Sequence, residues 1–68
     1  MKINTAYITL GQLLKFAGIA MSGGDIKYLL NETDIIVNKE VERRRGRKLY
    51  PGDTVVVGDQ EIVIEDDK

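Results

Sequence analysis

The stretch from Arg43 to Lys48 concentrates the chemistry of this sequence: Arg43, Arg44, Arg45, Arg47 and Lys48 place five positive charges around Gly46 with no acid among them. A guanidinium is a planar fork that meets two oxygens of a phosphate or carboxylate at once, and Gly46 frees the backbone to bend so that neighbouring side chains can converge. If about four to five of these cations neutralise phosphates, log affinity should fall against log salt with a slope of roughly −3 to −4. Two plainer readings stand beside this one. The same arginines could dock an acidic protein partner, or they could form a solvated loop balanced by Glu40, Glu42 and the acidic C-terminal segment.

A second candidate is Ser22-Gly23-Gly24, which reads as the start of a helix. Free amide groups and the helix dipole favour an anion there, and glycine lets a phosphate approach the backbone closely. Lys27 lies one turn further on, near the face of Gly23 and Gly24. Taken alone, these residues are better explained by an ordinary capped helix with a surface lysine.

Catalysis finds little support. There is no cysteine and no histidine, which removes thiolate chemistry, disulfides and the commonest metal ligands. Asp53, Asp59, Glu61 and Glu65 fall on turns and alternating strand positions, as solvent-facing charges do, and each Ser or Thr is better explained as a cap or turn residue. The expectation is a non-enzyme without metal or cofactor. Tyr7, Phe16, Tyr28 and Tyr50 are scattered, with no interleaved platform for stacking single strands, so recognition of folded RNA through phosphate and shape is favoured over base reading.

The elements that must position these groups fit one small domain, since 68 residues bury only a limited core. No apolar run approaches the roughly 20 residues of a membrane span and no signal peptide is evident, so the expected location is cytoplasmic, with no membrane partner. Charge is strongly polarised. Residues 1–42 carry four lysines against five acids, and residues 49–68 carry one lysine against six, so the cationic block stands beside an acidic end.

A short strand is expected over Ala6–Thr9, with Thr9 capping a helix and Gln12 completing a capping box. Leu10, Leu13, Leu14 and Ala17 form its core stripe, Lys15 points away, and Gly18 ends it. Ser22 caps a second helix with Ile26, Leu29 and Leu30 on its apolar face; Met21 and Ile26 have the spacing of a hydrophobic staple, and Asn31 closes the helix. Strands follow at Ile35–Val37 and around Val41, joined by Asn38-Lys39. Tyr50-Pro51-Gly52-Asp53 suits a type II turn, and Gly58-Asp59-Gln60 joins two strands, Thr54–Val57 and Glu61–Glu65. Asp66–Lys68 reads as a frayed tail. The fold class is α+β: two short packed helices against a small antiparallel sheet.

Five segments in this order, Thr9-Leu10-Gly11-Gln12-Leu13-Leu14-Lys15, Ser22-Gly23-Gly24-Asp25-Ile26-Lys27, Ile36-Val37-Asn38, Arg44-Arg45-Gly46-Arg47-Lys48-Leu49 and Gly52-Asp53, resemble the alpha-L RNA-binding motif, the S-four domain named after a small-subunit ribosomal protein. The branch they resemble is that of free-standing, single-domain YaaA-like bacterial proteins, and the resemblance covers about residues 8–57. It implies an RNA surface made by the second helix and the basic loop: Ser22, Gly23, Gly24 and Lys27 with Arg43, Arg44, Arg45, Arg47 and Lys48, and Lys15 as an edge contact. Lys39 stands where the family commonly has glycine. The implied role is a stand-alone binder of structured RNA, ribosomal in the first instance, acting on ribosomal particles in assembly or translation. A sulfur-carrier or ubiquitin-like protein would end in Gly-Gly, whereas this sequence ends Asp66-Asp67-Lys68, and duplex DNA binding lacks a recognition helix rich in base-reading side chains. On this reading, replacing Arg44, Arg45 and Arg47 together with Ala should remove RNA retention and leave stability nearly unchanged.

Overall fold

In the computed structural model, which describes residues 1–67, Thr9 both ends a strand and caps the helix after it. The chain runs through Lys2–Ile3 (β1), Ile8–Thr9 (β2), Leu10–Phe16 (α1), Gly23–Glu32 (α2), Ile35–Val37 (β3), Glu40–Val41 (β4), Lys48–Leu49 (β5), Thr54–Val57 (β6), Gln60–Val63 (β7) and Glu65–Asp66 (β8). The capping box forms as the sequence predicts: the Gln12 amide donates to Thr9 Oγ1 at 3.2 Å, and the Thr9 amide donates to Gln12 Oε1 at 2.9 Å. Gly18 takes a φ of 74°, which lets the chain turn off α1 where a residue with a Cβ would be strained.

Ser22 caps α2 as expected, but no staple forms above it. Met21 is 83% exposed, and its amide donates to Asp25 Oδ2 at 3.0 Å, so a carboxylate and not an apolar clasp closes this helix end. Ile26 turns inward instead and is buried with Leu30. The helix runs one residue past Asn31 to Glu32, and the Thr33 amide still donates to Leu29 O.

The main sheet is antiparallel in the order β4-β3-β6-β7. Asn38 and Lys39 both adopt positive φ, 50° and 72°, the pair of left-handed residues that a two-residue hairpin of mirror-image twist requires. Asn38 also locks this hairpin to the turn at Tyr50–Asp53, donating from Nδ2 to Asp53 Oδ1 and accepting the Thr54 amide on Oδ1. Gly52 takes a φ of 99° in that turn, and the Asp53 amide closes it onto Tyr50 O. The β6–β7 loop contains two residues, Gly58 and Asp59, because Gln60 already pairs with Val57; the sequence suggested three.

Ile35, Val37, Val55, Ile62 and Ile64 meet Leu10, Leu13, Leu14, Ile26 and Leu30 from the helices in one core. Burying a side chain of this size stabilises by about 1.5–3 kcal/mol. The opening strand is shorter than Ala6–Thr9, and the core reaches beyond residues 8–57 at both ends. β1 pairs in parallel with β8, the Glu65 amide donates to Met1 O, and the Asp67 amide donates to Ile3 O. Asp66 therefore belongs to a strand, where the sequence suggested a fraying tail; Lys68 lies outside the described residues. The two-residue pair β2–β5, Ile8 against Leu49 and Thr9 against Lys48, joins the entrance of α1 to the exit of the arginine loop.

Candidate nucleic-acid interface

Between β4 and β5 the arginine-rich chain crosses the N-terminus of α1, and its backbone satisfies that helix. The Leu10 amide donates to Arg47 O and the Gly11 amide to Arg45 O, both at 2.9 Å, so loop carbonyls fill positions that a helix start leaves open. A Cβ on Gly11 would lie 3.4 Å from Arg45 O and 3.7 Å from Ile26 Cδ1. Both are ordinary contact distances, so Gly11 lies close under the loop without closeness demanding a glycine there. Gly46 at the loop's corner has open space around its Cα and no positive φ, and the bend there is held by the Arg47 amide donating to Arg44 O.

Glu42 organises the side chains. It is 7% exposed, and its carboxylate gathers five donors: Oε2 accepts from the Arg43 and Arg44 amides and from Arg44 Nε, while Oε1 accepts from Arg44 Nη2 and Arg47 Nη1 at 2.8 Å. The Arg44 hydrogen bonds, then the Arg47 hydrogen bond, hold the Glu42 pKa down to about 2 against the opposing effect of burial. Glu42 in turn raises the Arg44 pKa above its ordinary value. Arg43 is engaged elsewhere: Nη1 donates to Leu30 O in the last turn of α2, and Nη2 pairs with Asp34 at 2.9 Å.

The five cations of the loop are therefore not equivalent. Arg43, Arg44 and Arg47 have carboxylate partners, and replacing Arg44 and Arg47 together would leave Glu42 a buried, uncompensated charge, so that substitution would not spare stability. The loop nevertheless stays cationic, because among the described residues only Glu42 and Asp34 form ion pairs with its five positive charges. Arg44 remains 74% exposed through its side chain, and the side chains of Arg45 and Lys27 make no hydrogen bond or ion pair among the described residues.

Two grooves flank the loop. Lys27, Arg43 and Arg45 line one, together with Leu30 and Asn31 of α2, which brings the predicted helix lysine and two of the arginines to the same side. Arg44, Arg47 and Lys48 line the other beside Tyr50. Ser22, Gly23 and Gly24 are exposed but line neither groove; at this tip Ser22 Oγ accepts the Asp25 amide and Asp25 Oδ2 accepts the Met21 amide. Lys15 is exposed at the end of α1 and also lies outside both. The sequence reading missed Glu42, which it treated as one more neutralising acid. An acid directly before a run of arginines was the available signal; its burial was not legible, because alternation would turn Val41 inward and Glu42 outward, and Val41 is 52% exposed.

A match to the S4 domain family spans residues 1–65. The chain belongs to this family. The two helices and small antiparallel sheets are those of the S4 fold, and the chain is an RNA-binding domain of S4 type. It is also similar to a Bacillus subtilis (strain 168) protein named "Probable ribosome maturation protein RlbA", with 53% identity over 55 residues, covering 81% of this chain and 78% of that protein. The resemblance in the five sequence segments is thereby confirmed, and the family match extends over the β1 and β7 strands that those segments did not include.

Proposed function

We propose that this S4 domain is a non-catalytic, cytoplasmic binder of structured ribosomal RNA that serves ribosome maturation, gripping the RNA by phosphate and shape. The observation that carries the reading is the groove between α2 and the arginine loop, where Arg45 and Lys27 stand unpaired next to Arg43. Phosphates of a folded RNA strand can bridge these cations while Arg44 and Lys48 extend the positive surface around the loop. The name of the Bacillus subtilis relative supports the ribosomal context, and the lack of histidine and cysteine supports a role without catalysis.

Fluorescence anisotropy with a ribosomal RNA hairpin, read across a salt series, tests this. With about four cations on phosphates, log Kd should rise with log salt at a slope near 3. The double variant Lys27→Ala/Arg45→Ala should keep the wild-type melting temperature, lose at least about tenfold in affinity and flatten the slope by about 1.5. An RNA affinity that ignores both salt and this variant would refute the proposal, and tight salt-dependent capture of an acidic protein without RNA retention would assign the loop to protein docking.

A further inference from the structure

The second groove has a feature that phosphate binding alone does not use. Tyr7, just before β2, and Tyr50, just after β5, lie far apart in sequence, yet the β2–β5 pairing brings their rings to 5.7 Å between centroids at a 48° tilt. Both are substantially exposed, and Tyr50 lines an open groove of about 650 Å³ together with Arg44, Arg47 and Lys48. That volume is within the range of about 300–1,000 Å³ typical of small-ligand sites.

We infer that this groove receives one unpaired nucleotide of the bound RNA, with its base stacked on the Tyr50 ring and its flanking phosphates on Arg44 and Lys48. The inference rests on the RNA reading above and adds a contact to the base. Two observations make the ring a platform and not a loose side chain, and two more suit its surroundings to a phosphate. The Tyr7 ring packs beside it, while Lys48 Nζ lies 5.1 Å from the Tyr7 ring centroid, so the cation is held by an aromatic face beside the groove. The Tyr50 backbone is fixed as well, since its amide donates to Asp53 Oδ2 at 2.8 Å and its carbonyl accepts the Asp53 amide. The Asp53 carboxylate, the one acid in this groove, is occupied by the Tyr50 amide and Asn38 Nδ2, which lessens its repulsion of an incoming phosphate. An aromatic face next to guanidinium and ammonium groups is the combination that holds an extruded base, whereas paired bases inside an RNA helix cannot reach it.

The experiment compares two RNA hairpins of the same stem sequence, one fully paired and one carrying a single bulged adenosine, each titrated with wild-type protein, Tyr50→Leu and Tyr50→Phe. Wild type should bind the bulged hairpin about tenfold more tightly, the increment expected from stacking one base. Tyr50→Leu should bind the two hairpins equally, and Tyr50→Phe should keep the preference because it retains the ring, which also separates stacking from any loss of folding in the leucine variant. Equal binding of both hairpins by wild type, a preference that survives in Tyr50→Leu, or its loss in Tyr50→Phe overturns the inference while leaving phosphate-based RNA binding intact. Failure of wild type to bind either hairpin overturns both.

Discussion

Arg44 and Arg45 are neighbours in sequence with the same side chain, and the fold gives them opposite tasks. Arg44 lies along the carboxylate of Glu42 with two of its nitrogens, whereas Arg45 offers only its backbone carbonyl to the protein, through Gly11, and leaves its guanidinium to the groove with Lys27. A run of arginines is thus not a uniform charge patch. One subset, clamped on Glu42, shapes the loop and keeps the exposed guanidinium of Arg44 at the second groove; the other, unpaired, has no internal carboxylate to share with a polyanion. The contrast also shows why a single buried acid is useful inside a basic loop: like charges packed this closely repel, and Glu42 lets Arg44 and Arg47 approach each other without that cost.

Removing the clamp should have the largest effect. In Glu42→Gln the charge disappears and part of the carboxylate's accepting capacity becomes a donor facing other donors, so stability should fall by about 3 kcal/mol, consistent with a carboxyl pKa drawn down from 4.5 to about 2. For a domain this small that corresponds to a melting temperature lower by ten degrees or more, measurable by circular dichroism. The acid dependence has a fixed direction. Because the folded pKa is depressed, the contribution of Glu42 is fully present above about pH 4.5 and is lost as pH falls through about 2. The stability gap between wild type and Glu42→Gln should therefore be constant from pH 7 to 5 and close below it. A gap that persists unchanged at pH 2 would mean that Glu42 acts through shape and not through charge.

Smaller, and seen in binding only, is the effect of the free arginine. Arg45→Ala should leave the melting temperature within a degree or two, because no side-chain bond is lost, and should reduce the salt slope for RNA by about 1. Arg47→Ala should do the reverse in part, destabilising the fold by about 1–2 kcal/mol because it takes one charge-assisted bond from a buried carboxylate. Equal melting temperatures for these two variants would erase the distinction between clamped and free cations.

How much of this could be read beforehand depends on the range of the interactions. Caps and turns are local, so Thr9 with Gln12, Gly18, Ser22, Asn38-Lys39 and Tyr50–Asp53 were all legible from neighbouring residues. The staple at Met21 was not, because Asp25 competes for the same helix end and wins with a hydrogen bond. β1, β5 and β8 were hidden for a different reason: each is two residues long and exists only through a distant partner, so no periodicity marks it. The site divides in the same way. Composition located the basic loop, but the division of labour inside it comes from Glu42, from the carbonyls given to α1, and from the pairing that sets Tyr7 beside Tyr50, all of them tertiary facts.

Arg43 stands between the two classes and gives the finest test of the comparison. Its guanidinium lines the Lys27 groove, yet two of its nitrogens are engaged, one with the exposed carboxylate of Asp34 and one with Leu30 O. An exposed ion pair contributes about 0–1 kcal/mol, while a cation on the last-turn carbonyls of a helix adds about 0.3–1 kcal/mol through the helix dipole. Asp34→Asn should thus cost less than about 0.5 kcal/mol, and Arg43→Ala about 1 kcal/mol, the difference reporting the bond to α2. For RNA the two part in sign: Asp34→Asn frees positive charge beside the groove and should tighten binding slightly at low salt, whereas Arg43→Ala should weaken it, by less than Arg45→Ala does. Chemical denaturation and anisotropy on the same four proteins, wild type and these three variants, measure both orders. If Arg43→Ala weakens RNA binding as much as Arg45→Ala, pairing with a surface carboxylate does not withdraw an arginine from the interface.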